Sequence, residues 1–126
     1  MRSTGSVAAA ALLLVACSAT TGDTDPPEDR ALVERGTELY AAHCAACHGD
    51  DLRGTGTGPS LLSVVYEPNH HPDEAFHLAV TRGARAHHWN FGDMPPIVGL
   101  TPEEIDAIIA LVRQTQQTEG YEPYPP

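Results

Sequence analysis

With 126 residues the chain has room for one domain and not comfortably for two. Its 17 Asp and Glu stand against 7 Arg and no Lys, for a formal net charge of −10. Nothing in that balance neutralises a run of phosphates, which excludes a nucleic-acid partner. It suits a soluble surface and also a protein partner that carries basic patches. Aromatic side chains are few, and a domain this small buries a modest core. A large flat apolar cofactor would add buried surface that the side chains do not supply.

The N-terminus reads as an address. Met1-Arg2-Ser3 carries one positive charge, and Val7 to Ala16 is an apolar run of ten residues. That is half of the roughly 20 residues a helix needs to span a bilayer, so residues 1–16 are expected to be a signal peptide. Leu14-Val15-Ala16-Cys17 resembles the lipobox of bacterial lipoproteins, which implies lipidation of Cys17 at a new N-terminus. The following Ser18 to Pro27 is small, polar and acidic, without apolar period. Residues 17–27 are therefore expected to be a flexible tether, with the ten residues after Cys17 reaching roughly 18 Å r.m.s.. The expected location is outside the cytoplasm, on the outer side of the cytoplasmic membrane or in the periplasm.

A domain over residues 28–120 follows. Pro27 suits the first position of a helix, with Glu28 and Asp29 favourable at its positive end. Leu32, Gly36, Leu39, Tyr40 and His43 share one helical face up to about Cys44. Gly49 to Pro59 is a glycine-rich loop, and Ser60 to Tyr66 is expected to be a short helix. Another helix is predicted from Pro72 or Asp73 to about Arg82, closed by Gly83. Residues 84–99 are broken by Gly92, Pro95, Pro96 and Gly99. Thr101-Pro102-Glu103-Glu104 is a capping box with proline at N1. Leu100 and Ile105 suit a hydrophobic staple, and Ile105, Ile108, Ile109 and Val112 form an apolar stripe fading near Gln117 to Gly120. Residues 121–126 are expected to be an extended or frayed tail. No segment alternates as a strand, so the fold class is all-α.

Cys44-Ala45-Ala46-Cys47-His48 is a C-x-x-C-H haem-attachment motif. Two thiols three residues apart can each bond one vinyl group of the same ring, and the next residue then faces the iron. A thioredoxin-like pair would need a βαβ setting, and a structural zinc would need two more regularly spaced ligands; both are missing. His48 is thus the expected axial ligand. Met94, in Gly92-Asp93-Met94-Pro95-Pro96, is the one methionine besides the initiator and the expected second axial ligand. A thioether favours ferrous iron. His87 or His88 is the rival.

These features together are similar to small class I c-type cytochromes. The resemblance covers about residues 30–117: a helix with Gly36 to Tyr40, Cys44 to Gly49, Gly58-Pro59, Met94-Pro95, and a last helix from Thr101 to about Gln116. It implies three to four helices around one covalent haem c, with the first and last crossing near Gly36. It implies that the Pro59 carbonyl accepts the other ring N–H of His48, which fixes the tautomer. The family usually sets an aromatic against the first-helix glycine; this chain offers Leu111 or Val112, so a looser crossing is expected. It implies a monomeric, non-enzymatic electron carrier, tethered to the membrane and serving redox proteins of a respiratory or dehydrogenase chain. A peroxidase-like enzyme or a gas sensor with a labile sixth ligand is the alternative.

Other residues invite sharper roles. Trp89 is the single tryptophan, and its indole N–H suits a haem propionate. Arg53, Arg82 and Arg85 could pair with propionates too. His70-His71 and His87-His88 suggest a second metal, although adjacent residues on a loop rarely point the same way. Gly54 to Gly58 lacks the lysine and the strand of a phosphate loop.

Overall fold

The computed structural model describes Met1 and residues 26–124. Residues 2–25, which hold nearly all of the expected signal peptide and tether with Cys17, and the last two prolines lie outside the described residues. The elements are α1 (Pro27–His43), α2 (Ala45–His48), α3 (Asp73–Arg82) and α4 (Pro102–Glu119), with a single 3₁₀ turn at Val64–Tyr66. The architecture is all-α, and two isolated bridges are the β pairing among the described residues. None of the described helices is long and apolar enough to cross a membrane.

The long helices begin where local chemistry starts them. Pro26 is extended and caps α1, with Glu28 and Asp29 in the first turn. In α4 the Thr101 hydroxyl accepts from the Glu104 amide at 3.3 Å, and the Glu104 carboxylate accepts from the Thr101 amide at 3.0 Å. This reciprocal cap satisfies two otherwise orphaned donors. Gly83 closes α3 and Gly120 closes α4.

α4 is the spine of the core. Ile105, Ala107, Ile108, Ile109 and Val112 are all buried along it. One cluster joins Ile108 and Val112 to Leu39, Tyr40, Leu52, Leu61 and Leu62. A second joins Ile105 and Ile109 to Val80 of α3. Each fully buried aliphatic side chain contributes about 1.5–3 kcal/mol. By comparison, the Arg35–Glu104 ion pair between α1 and α4, at 2.9 Å, is exposed on its arginine side. Such pairs contribute about 0–1 kcal/mol, so apolar burial decides the packing.

The crossing of α1 and α4 is tight rather than loose. A Cβ on Gly36 would stand 2.0 Å from the Ala107 carbonyl oxygen. The residue opposite Gly36 is therefore Ala107, not Leu111 or Val112. The contact is with the Ala107 carbonyl itself, so the missing side chain of Gly36 is what lets the two backbones touch.

Residues 60–66 also differ from the expected short helix: just Val64–Tyr66 is helical. The preceding backbone is claimed by distant partners. Leu61 donates to Leu52 and the Leu62 carbonyl accepts from Glu122, each at 2.8 Å. The Leu61 carbonyl also accepts from the buried Gln116 amide at 2.8 Å. The tail is extended and held. Glu122 accepts from the Val64 amide, and its carboxylate accepts from the Ser60 hydroxyl at 2.6 Å and pairs with Arg53.

Arg113 ties α4 to the opposite wall. It donates to Asp73 at 2.8 Å, to the Tyr66 carbonyl at 2.6 Å and to the His71 carbonyl at 2.7 Å.

Gly36→Ala should destabilise the fold by about 3 kcal/mol or more, because the added methyl meets rigid backbone. Gly56→Ala, where a Cβ would meet nothing within 4 Å, should leave stability within about 1 kcal/mol. Chemical denaturation of the two variants checks both; equal midpoints would contradict the backbone contact.

Candidate haem site

The attachment motif is one extra helical turn added to α1. Cys44 ends α1 and caps α2, and its amide donates to the Tyr40 carbonyl at 2.8 Å. Cys47 and His48 then donate to the Cys44 carbonyl at 3.1 and 3.0 Å. The i, i+3, i+4 spacing on that turn puts both cysteines and His48 on neighbouring positions of one helical surface.

The loop after the motif wraps this turn instead of swinging free. Gly54 donates to the His48 carbonyl at 2.7 Å, and the Thr55 hydroxyl donates to the Cys47 carbonyl at 2.7 Å. A Cβ on Gly58 would come within 2.8 Å of that same Cys47 carbonyl, so only glycine lets Pro59 reach His48. There the Pro59 carbonyl lies 2.9 Å from His48 Nδ1. A carbonyl can only accept, so Nδ1 carries the proton and Nε2 keeps its lone pair. Burial holds the imidazole below its ordinary range, against the opposing pull of the Pro59 bond. At neutral pH His48 is therefore a neutral, oriented donor.

A cavity of about 520 Å³ opens beside this turn, within the usual range of roughly 300–1,000 Å³ for ligand pockets. Cys44, His48, Pro59, Trp89 and Met94 all line it. Cys47 is exposed on the same turn and is not part of the lining. Ile108 and Val112 of α4 form one wall. Five of the seven aromatic residues, Tyr40, Tyr66, Phe76, Trp89 and Phe91, also face it. A sparse aromatic supply gathered around one space is what a flat apolar ring requires. Burial, with Cys47 adding, pushes the Cys44 thiol up to about 11. Cys44 and Cys47 are not joined in a disulfide.

Met94 comes from the irregular 84–99 segment, which the backbone nonetheless pins. Met94 and Ala84 exchange two hydrogen bonds, at 2.8 and 3.0 Å. Asp93 accepts from the Ala86 amide at 2.9 Å, and Ile97 donates to the Val80 carbonyl at 2.8 Å. These three anchors lie in the last turn of α3 or just beyond it.

The family profile described as Cytochrome c matches residues 33–116. The chain belongs to the cytochrome c family. It is 32% identical over 110 residues to cytochrome c-551 of Bacillus subtilis (strain 168), covering 81% of this chain and 83% of that protein. It is 48% identical over 47 residues to the cbb3-type cytochrome c oxidase subunit FixPc of Rhizobium leguminosarum bv. viciae. That second match takes in 36% of this chain and 16% of the length of that subunit. The chain is a class I, single-haem c-type cytochrome, and covalently bound haem c is its cofactor. The cavity fits that group: its lining is mainly apolar, it abuts the cysteine turn, and His48 presents a lone pair.

Other expected residues have other partners. Arg53 pairs with Glu119 and Glu122 of the chain's end and does not line the cavity. Arg85 does line it. Trp89 stacks on Tyr66 at 5.7 Å and meets Tyr124 edge-on at 5.3 Å. Tyr40 was missed as a site residue. Its hydroxyl donates to the Gly49 carbonyl at 2.8 Å, bracing the motif from α1. Its place beside Leu39, on the core face four residues before Cys44, was the available signal.

Replacing both Cys44 and Cys47 with alanine should abolish covalent haem. A haem stain that survives on a denaturing gel would contradict the assignment.

Proposed function

We propose that this cytochrome is a membrane-tethered electron carrier whose haem iron is held by His48 and Met94. The observation that carries this reading is that a pinned Met94 and a neutral, oriented His48 line one apolar cavity beside the cysteine turn. Family membership supplies the coarser statement, a haem protein that carries electrons. When bound, the haem supplies a ferrous–ferric couple, which exchanges one electron without a bound substrate.

The residues of the chain act as holders. Cys44 and Cys47 tie the ring to the end of α1, and Pro59 keeps His48 in one tautomer. Pro95 and Pro96 stiffen the loop behind Met94. The apolar wall of Ile108 and Val112 excludes water. Similarity to a segment of an oxidase subunit supports redox proteins of a respiratory chain as partners. The lipobox-like Leu14 to Cys17 supports export and a lipid anchor, with residues 17–27 as tether and 28–120 as the electron-carrying domain.

Met94→His should keep the iron low-spin and lower the reduction potential markedly, because imidazole stabilises ferric iron more than a thioether does. Axial ligands and their surroundings set haem potentials over about 0.8 V across proteins, so the shift should be plain in a redox titration. Met94→Ala should abolish the far-red band of a ferric methionine–iron bond. An unaltered spectrum and potential would transfer the role to His87 or His88.

Cys17→Ala should release the protein from membranes and leave the haem spectrum unchanged. Fractionation and absorption spectra check the two halves. Continued membrane association would remove the anchor, and a lost spectrum would tie residue 17 to the fold.

A further inference from the structure

The two histidine pairs are far apart in sequence and together in space. His70-His71 ends the turn after the 3₁₀ segment, and His87-His88 lies in the loop that leads to Met94. The ring centroids of His70 and His88 are 5.1 Å apart, and those of His71 and His88 are 5.4 Å apart. One ligating nitrogen from each of His70, His71 and His88 falls within 4.8 Å of the other two. We propose that His70, His71 and His88 form a binding site for one divalent late transition-metal ion, Zn²⁺ or Cu²⁺, at the rim of the haem cavity.

The distances suit such an ion. His70 Nε2 and His88 Nε2 are 3.3 Å apart. Two imidazole nitrogens on a tetrahedral zinc at about 2.0–2.1 Å stand about 3.3 Å from each other. A proton shared between two rings would also give that spacing, but it would not draw in a third. His71 is oriented for the task. Its Nδ1 donates to the Val65 carbonyl at 2.7 Å, which leaves Nε2 with its lone pair. Metal-binding histidines are typically fixed by such a bond on the second nitrogen. All three nitrogen separations lie within 4.8 Å, and His70, which is exposed, has room to turn toward the other two.

The backbones beneath the cluster are already held. The amides of His70 and His71 both donate to the Glu67 carbonyl, at 3.0 and 2.8 Å. The His71 carbonyl accepts from Arg113 at 2.7 Å, and the His88 carbonyl accepts from the Tyr124 hydroxyl at 2.6 Å. Burial and the neighbouring imidazoles hold His71 and His88 below the ordinary histidine range, with Arg113 adding to the effect at His71. Three imidazoles without a carboxylate or thiolate favour borderline ions, with Cu²⁺ above Zn²⁺ in intrinsic affinity. Three protein ligands leave one position open to solvent. His87 packs on His88 at 4.3 Å but hydrogen-bonds the Arg85 carbonyl through Nδ1 and stands outside the triad.

The test is calorimetric titration of ZnCl₂ into the haem-loaded full chain. One saturable ion per chain is expected. His70→Ala and His88→Ala should each weaken binding by more than about tenfold, the cost that loss of even an outer-shell partner can bring. Replacing His43 and His77 together, both outside the cluster, should change nothing. His70→Ala removes an exposed ring, and an unchanged haem spectrum shows that the variant is folded. The proposal is overturned if the wild type shows no saturable binding. It is equally overturned if the His70 and His88 variants bind as the wild type does.

Discussion

The backbone contact between Gly36 and Ala107 governs where the site can form. Any side chain at position 36 would drive a Cβ into the Ala107 carbonyl oxygen. With none there, α1 lies directly on α4, and Leu39 and Tyr40 come down beside Ile108 and Val112. Cys44 follows within one turn of Tyr40, and one further turn carries Cys47 and His48. The cysteine turn and the cavity wall are therefore placed relative to each other by two rigid helices. No loop has to be positioned first.

The two flanks of the cavity are held by different means. On the His48 side the contacts are short in sequence: a loop of about ten residues folds back and bonds the turn it has just left. On the Met94 side no helix is available, and the backbone finds its partners in another element. It finds them at the end of α3, through Ala84, Ala86 and Val80. Because Val80 packs with Ile105 and Ile109, the Met94 loop is referred back to α4 as well. Both flanks thus share one reference element, α4.

What could be read from the sequence was the chemistry that acts locally. The capping box at Thr101, the apolar stripe of α4 and the cysteine spacing each lie within one window of residues. The 60–66 segment could not be read that way. Its local helical tendency loses to hydrogen bonds with Leu52, Gln116 and Glu122, which lie outside the segment. The tail misled for the same reason: its prolines suggest an unattached end, yet Glu122 and Tyr124 dock on the body. The partner of Gly36 was misplaced by one helical turn, since the family's aromatic draws attention to Leu111 and Val112 and away from Ala107. The histidine pairs suggest a second metal from sequence, but no local pattern shows that their two loops converge.

The charge pattern separates a long-range task from a short-range one. The chain carries a net charge of −10, yet no Asp or Glu lines the cavity among the described residues, and Arg85 does. Under the proposed ligation the ferric state holds one more positive charge than the ferrous state. An apolar lining disfavours that extra charge, and Arg85 opposes it directly. Surface carboxylates favour it, but they act through water and salt that screen beyond about 8–10 Å. The lining thus pushes the potential in the same direction as a thioether ligand would. The acidic exterior is left free for recognition, where it can orient a basic redox partner before contact without greatly altering the couple it meets.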